Sequence, residues 1–241
     1  MEDSLNKRLG KALRMGIAAL GVAFVPFTYT SAAADPVVVE LYTSQGCSSC
    51  PPADEMLSHL ATRYDVIALG LHVDYWDYIG WADEFAKPEF TDRQRGYARA
   101  KGERMIYTPQ MVIGGLDHVI GSKPAEVEAA IKAHKKQKSP VQMTATRNGN
   151  MLEIKATSAK PEKMTVQVAV YAPSQTVNIK RGENAGRSIT YANVVTDWVK
   201  VKEWSGTDAL SSKVQLNTEN PVAVIVQQGS HGPILAAAKV K

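Results

Sequence analysis

The chain has 241 residues, 44% of them apolar, a formal net charge of +4 and two cysteines. That length can bury a core without disulfide staples. The charge is too small to mark a nucleic acid or an acidic polymer as partner, and two cysteines make no disulfide framework.

The first 34 residues read as a leader. Lys7, Arg8, Lys11 and Arg14 form a basic region, residues 15–27 an apolar run too short to span a bilayer comfortably, and Ala32-Ala33-Ala34 a small-residue cleavage site before Asp35. This pattern predicts a secretory signal peptide, the alternative being an uncleaved anchor. The remaining chain is then expected to be periplasmic or secreted, with no membrane partner once the leader is removed. The leader carries four of the basic and two of the acidic residues, so the net charge of the remainder falls to +2.

Residues 37–42 are Val-rich and suit a core strand. Gly46 frees the backbone before Cys47-Ser48-Ser49-Cys50, and Pro51-Pro52 fit the first turn of a helix running to about residue 64. Unpaired N–H groups at a helix start favour a thiolate. Cys47 is therefore expected to be exposed and nucleophilic, with Cys50 resolving the mixed disulfide. Two cysteines three apart close too small a loop to staple a fold, which favours a redox role. Glu40 shares a strand face with Val38 and Tyr42. It is a candidate proton relay to Cys50, or a carboxylate paired with a nearby Lys or Arg.

Residues 66–74 form a continuous apolar strand, as expected of a parallel strand covered on both faces. Four aromatics follow within residues 75–81. They either wall a substrate groove beside the cysteines, with Trp76 contacting substrate, or pack a loop. Residues 82–85 and 90–101 read as helical, and Arg93, Arg95, Arg99, Lys101 and Arg104 as a solvated face. His72 in its apolar run reads as a core histidine rather than, with Asp74 and the cysteines, a ligand for copper or zinc. No metal and no cofactor are expected. Pro109 at the start of an apolar strand suits a cis bond. Gly114-Gly115 turns a hairpin, and Ser122 is placed to cap a helix ending near His134.

The order strand, Cys-x-x-Cys, helix, strand, helix, Thr108-Pro109, hairpin, helix resembles the thioredoxin superfamily over residues 36–137. Tyr42-Thr43, Gly46-Cys47 and Thr108-Pro109-Gln110 are similar to glutaredoxins. The whole chain resembles a family of exported bacterial thioredoxin-like proteins without an assigned function. The resemblance implies a cis Pro109 packed against a Cys47–Cys50 disulfide. It also implies a Thr108 backbone that pairs with substrate, Cys47 as attacker and Cys50 as resolver. Ser48-Ser49 differs from the dipeptides of thioredoxin and glutaredoxin, so redox direction does not transfer.

After a polar linker at 135–140, alternating runs predict seven or eight short strands, beginning with a hairpin around Asn148-Gly149. The expected fold is therefore an α/β thioredoxin-like domain at 35–138, followed by a mainly antiparallel β-sandwich domain at 139–241. Residues 182–187 form a polar loop, either docked against the redox half or an ordinary hairpin connection. The favoured function is a periplasmic thiol–disulfide oxidoreductase acting on protein or small-molecule thiols and disulfides, with a homodimer possible. The alternative is a non-catalytic binding module with a structural disulfide or metal site.

Overall fold

The computed structural model describes residues 36–241. The leader expected at 1–34 lies outside the described residues. The architecture grows from β1 (Val37–Thr43), every residue of which is buried. Helix α1 (Pro51–Ala61) carries the chain to β2 (Val66–His72), parallel to β1 in a register from Val37↔Val66 to Thr43↔His72. A 3₁₀ turn (Asp77–Ile79) and helix α2 (Pro88–Lys101) lead to the antiparallel hairpin β3 (Gln110–Ile113) and β4 (Asp117–Ile120), with β3 against the other edge of β1. Helix α3 (Pro124–His134) follows.

Strand periodicity sends alternate side chains of β1 to opposite faces. Val37, Val39 and Leu41 meet Leu57 and Leu60 of α1 and Val127 and Ile131 of α3. Val38 and Tyr42 meet Phe90 and Tyr97 of α2.

The second half does not form a separate sandwich. It contains β5 (Val141–Asn148), β6 (Met151–Ser158), β7 (Met164–Asn178), β8 (Ser188–Trp204), β9 (Leu210–Gln215), β10 (Val222–Gln228) and β11 (Ile234–Val240). Four of these continue the first sheet, giving one eight-stranded mixed sheet in the order β11-β10-β7-β8-β2-β1-β3-β4. The described residues are mainly β, with 44% strand against 19% helix. The remaining strands form a three-stranded sheet, β5-β6-β9. It packs Leu152 and Ile154 on Met164, Val166, Val224 and Val226 of the large sheet. The described residues, 36–241, make one compact unit.

The expectation of an α/β domain followed by an independent sandwich fails because β2 is not an edge. Its outer side is taken by β8, through a parallel pairing at Gly70↔Val194. A Cβ on residue 70 would lie 3.3 Å from the Ala192 carbonyl oxygen and from Leu57, so glycine admits the incoming strand. Beside it Asn193 takes φ +47°, and its Nδ2–H donates to the Ala68 carbonyl at 2.9 Å, replacing a ladder bond with a side chain. The core then runs through the joint: Ile67, Leu69, Leu71 and Phe90 pack in one cluster with Tyr171, Val195, Ala223 and Ile225.

A buried ion pair fastens the same joint. Arg93 donates to both oxygens of Glu40 at 2.7 and 2.8 Å, with side-chain exposures of 7% and 0%. Tyr42 and Tyr97 hydroxyls also donate to Glu40, at 3.0 and 2.7 Å. The guanidinium lies 3.8 Å from the centre of the Trp198 ring, and Gln227 Nε2–H donates to Tyr97 Oη at 2.8 Å. Arg93 is thus no part of a solvated face. Other local expectations change as well. Residues 82–85 are not helical, Lys123 rather than Ser122 precedes α3, and the strands expected to be short include the long β8, whose pairing with β7 shifts register at Val170/Tyr171.

Candidate functional site

The carboxyl ends of β1 and β2 and the start of α1 meet at one place. Cys47 and Cys50 form a disulfide there with Cα atoms 5.4 Å apart. The loop is tight: Cys47 N–H donates to Ser44 O at 3.1 Å and Cys50 N–H to Cys47 O at 3.2 Å. Gly46 lets the chain covering it come close, since a Cβ there would sit 3.1 Å from Ile79 and 3.3 Å from Trp76.

The structure brings Cys47, Cys50, Trp76, Thr108 and Pro109 together and leaves Glu40 apart. Trp76 Nε1–H donates to Thr108 Oγ1 at 2.7 Å, and that hydroxyl donates to Cys47 Sγ at 3.3 Å. The Thr108–Pro109 peptide is cis. Trp76, from the aromatic cluster, therefore walls the disulfide. Glu40 points to the α2 face of the sheet, opposite α1, where Arg93 holds it. Asp74 accepts from Thr91 Oγ1 at 2.6 Å, away from the cysteines. Among the described residues no three His, Cys, Asp or Glu side chains converge as metal ligands.

Two expectations about Cys47 are corrected. It is not exposed: Cys47 and Cys50 are both 0% accessible, while Ser48 and Ser49 between them face solvent. The bridge from Trp76 to Thr108 and the packing of Ile79 and Trp76 on Gly46 account for this cover. Nor does the helix start offer free donors. Pro51 and Pro52 have no N–H, and the Ala53 and Asp54 N–H groups turn back to Cys50 O at 2.8 and 3.1 Å. Hydrogen bonding to Cys47 Sγ comes instead from the Thr108 hydroxyl. The Ser49 hydroxyl also lies within 3.4 Å of this sulfur.

Beneath the disulfide lies a polar cluster that sequence reasoning did not single out. Asp54 sits one helical turn beyond Cys50 on the same face of α1, and is buried with Ala53, Leu57 and Leu60. Thr43 Oγ1–H donates to its Oδ1 at 2.8 Å, while Oδ2 has no partner among the described residues. Burial pushes the Asp54 carboxyl up to about 7, against the weaker opposing pulls of His72 and the Thr43 bond. Asp83 receives His72 Nδ1–H at 2.6 Å and Gln45 N–H at 2.7 Å, on the same oxygen. His72 Nε2 is buried with no partner among the described residues. The signal for Asp54 was its spacing: an acid four residues past Cys50 shares the buried stripe of an amphipathic helix.

The loop at 182–187 docks on the motif. Asn184 Nδ2 donates to Gln45 O at 2.9 Å and to Cys47 O at 3.0 Å.

Fold and site together define a mainly β protein with one mixed sheet, carrying a covered Cys-x-x-Cys disulfide at the carboxyl ends of its two central parallel strands. More particularly, the chain belongs to the DUF1223 family, described as protein of unknown function, whose model matches residues 38–227. The structure is similar to that of protein AGR_C_4864 from Agrobacterium tumefaciens: 36% identity, 86% of this chain and 94% of the other covered, TM-score 0.76. It also shares its fold with HBP35 of Porphyromonas gingivalis at 15% identity, over 85% of this chain and 74% of that one, TM-score 0.57. No curated protein matches. Membership of the thioredoxin superfamily is thereby corrected. The matching family spans both halves of the chain, and the sheet it covers is mainly β and continuous through residue 138. The resembling motifs are local, and they do not report which strands join the sheet from outside their own stretch.

Proposed function

We propose that the protein is an exported thiol–disulfide oxidoreductase whose redox couple is Cys47–Cys50. The observation that carries the reading is a disulfide with a hydroxyl donor at one sulfur and a buried carboxyl of near-neutral pKa one turn past the other cysteine. Taking electrons from a substrate dithiol, the cycle begins when a substrate thiolate attacks Cys47 Sγ. The S–S bond breaks, and Cys50 leaves as a thiolate and takes a proton from Asp54. The second substrate thiol then displaces Cys47, closing the substrate disulfide. Two electrons pass to the cysteines; of the two substrate protons one returns to Asp54 and the other is released to solvent, leaving Cys50 as a thiol and Cys47 as a thiolate. In reverse, the Cys47 thiolate attacks a substrate disulfide and Cys50 resolves it. Access requires the Trp76 indole to leave Thr108, which uncovers Cys47 beside exposed Ser48 and Ser49. The leader pattern supports a periplasmic or secreted setting, where such chemistry is at home.

Complete burial of both sulfurs favours a second reading, a static disulfide in a binding module. Insulin reduction and oxidation of reduced ribonuclease separate the two, with Cys47→Ser as control. Turnover in either direction that vanishes in the variant is expected. A folded protein with no exchange in either direction overturns the enzyme reading.

A further inference from the structure

The β7–β8 hairpin extends beyond the joint with β2 and lays its turn on the motif. Val177, Ile179, Tyr191 and Val194 pack there with Trp81 and Phe85, so the tip is anchored. Gly182 lets it approach, since a Cβ there would lie 3.2 Å from Trp81, and its φ of +76° suits glycine alone. The tip is closed by Gly186 N–H to Ile179 O at 2.8 Å and Ile179 N–H to Arg187 O at 2.9 Å. Glu183, Ala185, Gly186 and Arg187 face solvent, yet Asn184 between them is 2% accessible. A solvent loop that buries one amide must satisfy it. Asn184 does so by giving its Nδ2 hydrogens to Gln45 O and Cys47 O, while Oδ1 accepts from Arg187 Nη1 at 3.0 Å. Carbonyls only accept and guanidinium only donates, so the amide has one possible orientation.

We propose that Asn184, polarised by Arg187, is a positioning residue of the redox site, a clamp from the far half of the chain that fixes the Gln45–Cys47 backbone and stabilises the Cys47 thiolate. The inference rests on the oxidoreductase reading above. The charged and titratable groups around the motif include Asp54 on α1, His72 on β2, Asp77 in the 3₁₀ turn, Asp83 after it, and Arg187 and Tyr191 from the hairpin. The carboxylates there oppose a new anion. His72 and, more weakly, Arg187 from the hairpin act to lower Asp54. The amide passes that polarity to the carbonyl of Cys47 itself. When the disulfide takes two electrons from a dithiol and one proton at Cys50, the charge left on Cys47 is the species the clamp favours. It therefore biases the couple toward the reduced form.

The test uses the protein with an intact disulfide, equilibrated in dithiothreitol buffers, and reads the Cys47 pKa from thiolate absorbance. For Asn184→Ala the disulfide–dithiol equilibrium is expected to shift on the order of tenfold toward the disulfide, with a raised thiol pKa. Arg187→Met is expected to shift it about twofold in the same direction, since this side chain is exposed and screened. Arg187→Lys is expected to restore it, and high salt to erase the difference. If Asn184→Ala does not fold, the two Arg187 variants carry the test. A wild-type disulfide that reduces normally while the folded variants keep its equilibrium and pKa overturns the clamp alone. A wild-type disulfide that no dithiol reduces overturns the clamp and the oxidoreductase reading together.

Discussion

The two faces of the central sheet each bury an acid, and they treat it differently. On the α2 face, Glu40 is met at both oxygens, by Arg93 and two tyrosines. On the α1 face, one oxygen of Asp54 and one nitrogen of His72 have no partner among the described residues. A fully satisfied buried network fixes one arrangement and resists change. A half-satisfied one costs stability and persists where something else needs it. The Glu40 side holds the two halves together; the Asp54 side is where the proposed redox chemistry would draw its proton.

Removing Arg93 tests that contrast most severely. Arg93→Met leaves Glu40 buried and unpaired and is expected to cost roughly 3–5 kcal/mol in urea unfolding. The double variant Arg93→Met/Glu40→Gln is expected to recover much of that loss. Equal losses in the single and double variants would deny the ion pair its role.

Asp54→Asn is next. Below about pH 4 the wild-type carboxyl is protonated whether the chain is folded or not, and its burial carries no charge penalty. Its folded pKa of about 7 lies above the ordinary 3.8, so stability present below pH 4 is lost as pH rises through 7. The loss is at most on the order of 4 kcal/mol. The variant, still able to accept from Thr43, is expected to match wild type at pH 4 and exceed it at pH 8. Parallel stability curves across that window would remove the shifted acid from the argument.

Trp76→Phe gives the smallest effect. It deletes only the donor to Thr108 and keeps the aromatic cover, so reduction of the disulfide by dithiothreitol is expected to quicken about two- to fivefold, in line with the loss of one net hydrogen bond. An unchanged rate would mean that the indole does not gate the sulfur.

Much of this was legible from local pattern. The continuous apolar runs at 37–42 and 66–74 and the glycine pair at 114–115 became strands and a hairpin, the second strand ending at His72, because such signals are set by near neighbours. The joint was not legible. Gly70 and Asn193 are separated by most of the chain, and neither residue's meaning shows until the other is placed beside it. Arg93 lay hidden among cations that do face water, and only its contact with Glu40 sets it apart. The burial of Cys47 comes from Trp76, Ile79 and a hairpin tip far along the chain, contacts that leave no periodicity in sequence.

The place of β8 in the sheet also bears on how the chain folds. Until Ser188–Trp204 docks, the outer rim of β2 offers bare peptide groups to any passing strand. The chain is therefore most adhesive before this long-range pairing closes, and escapes only when its own distant segment arrives first.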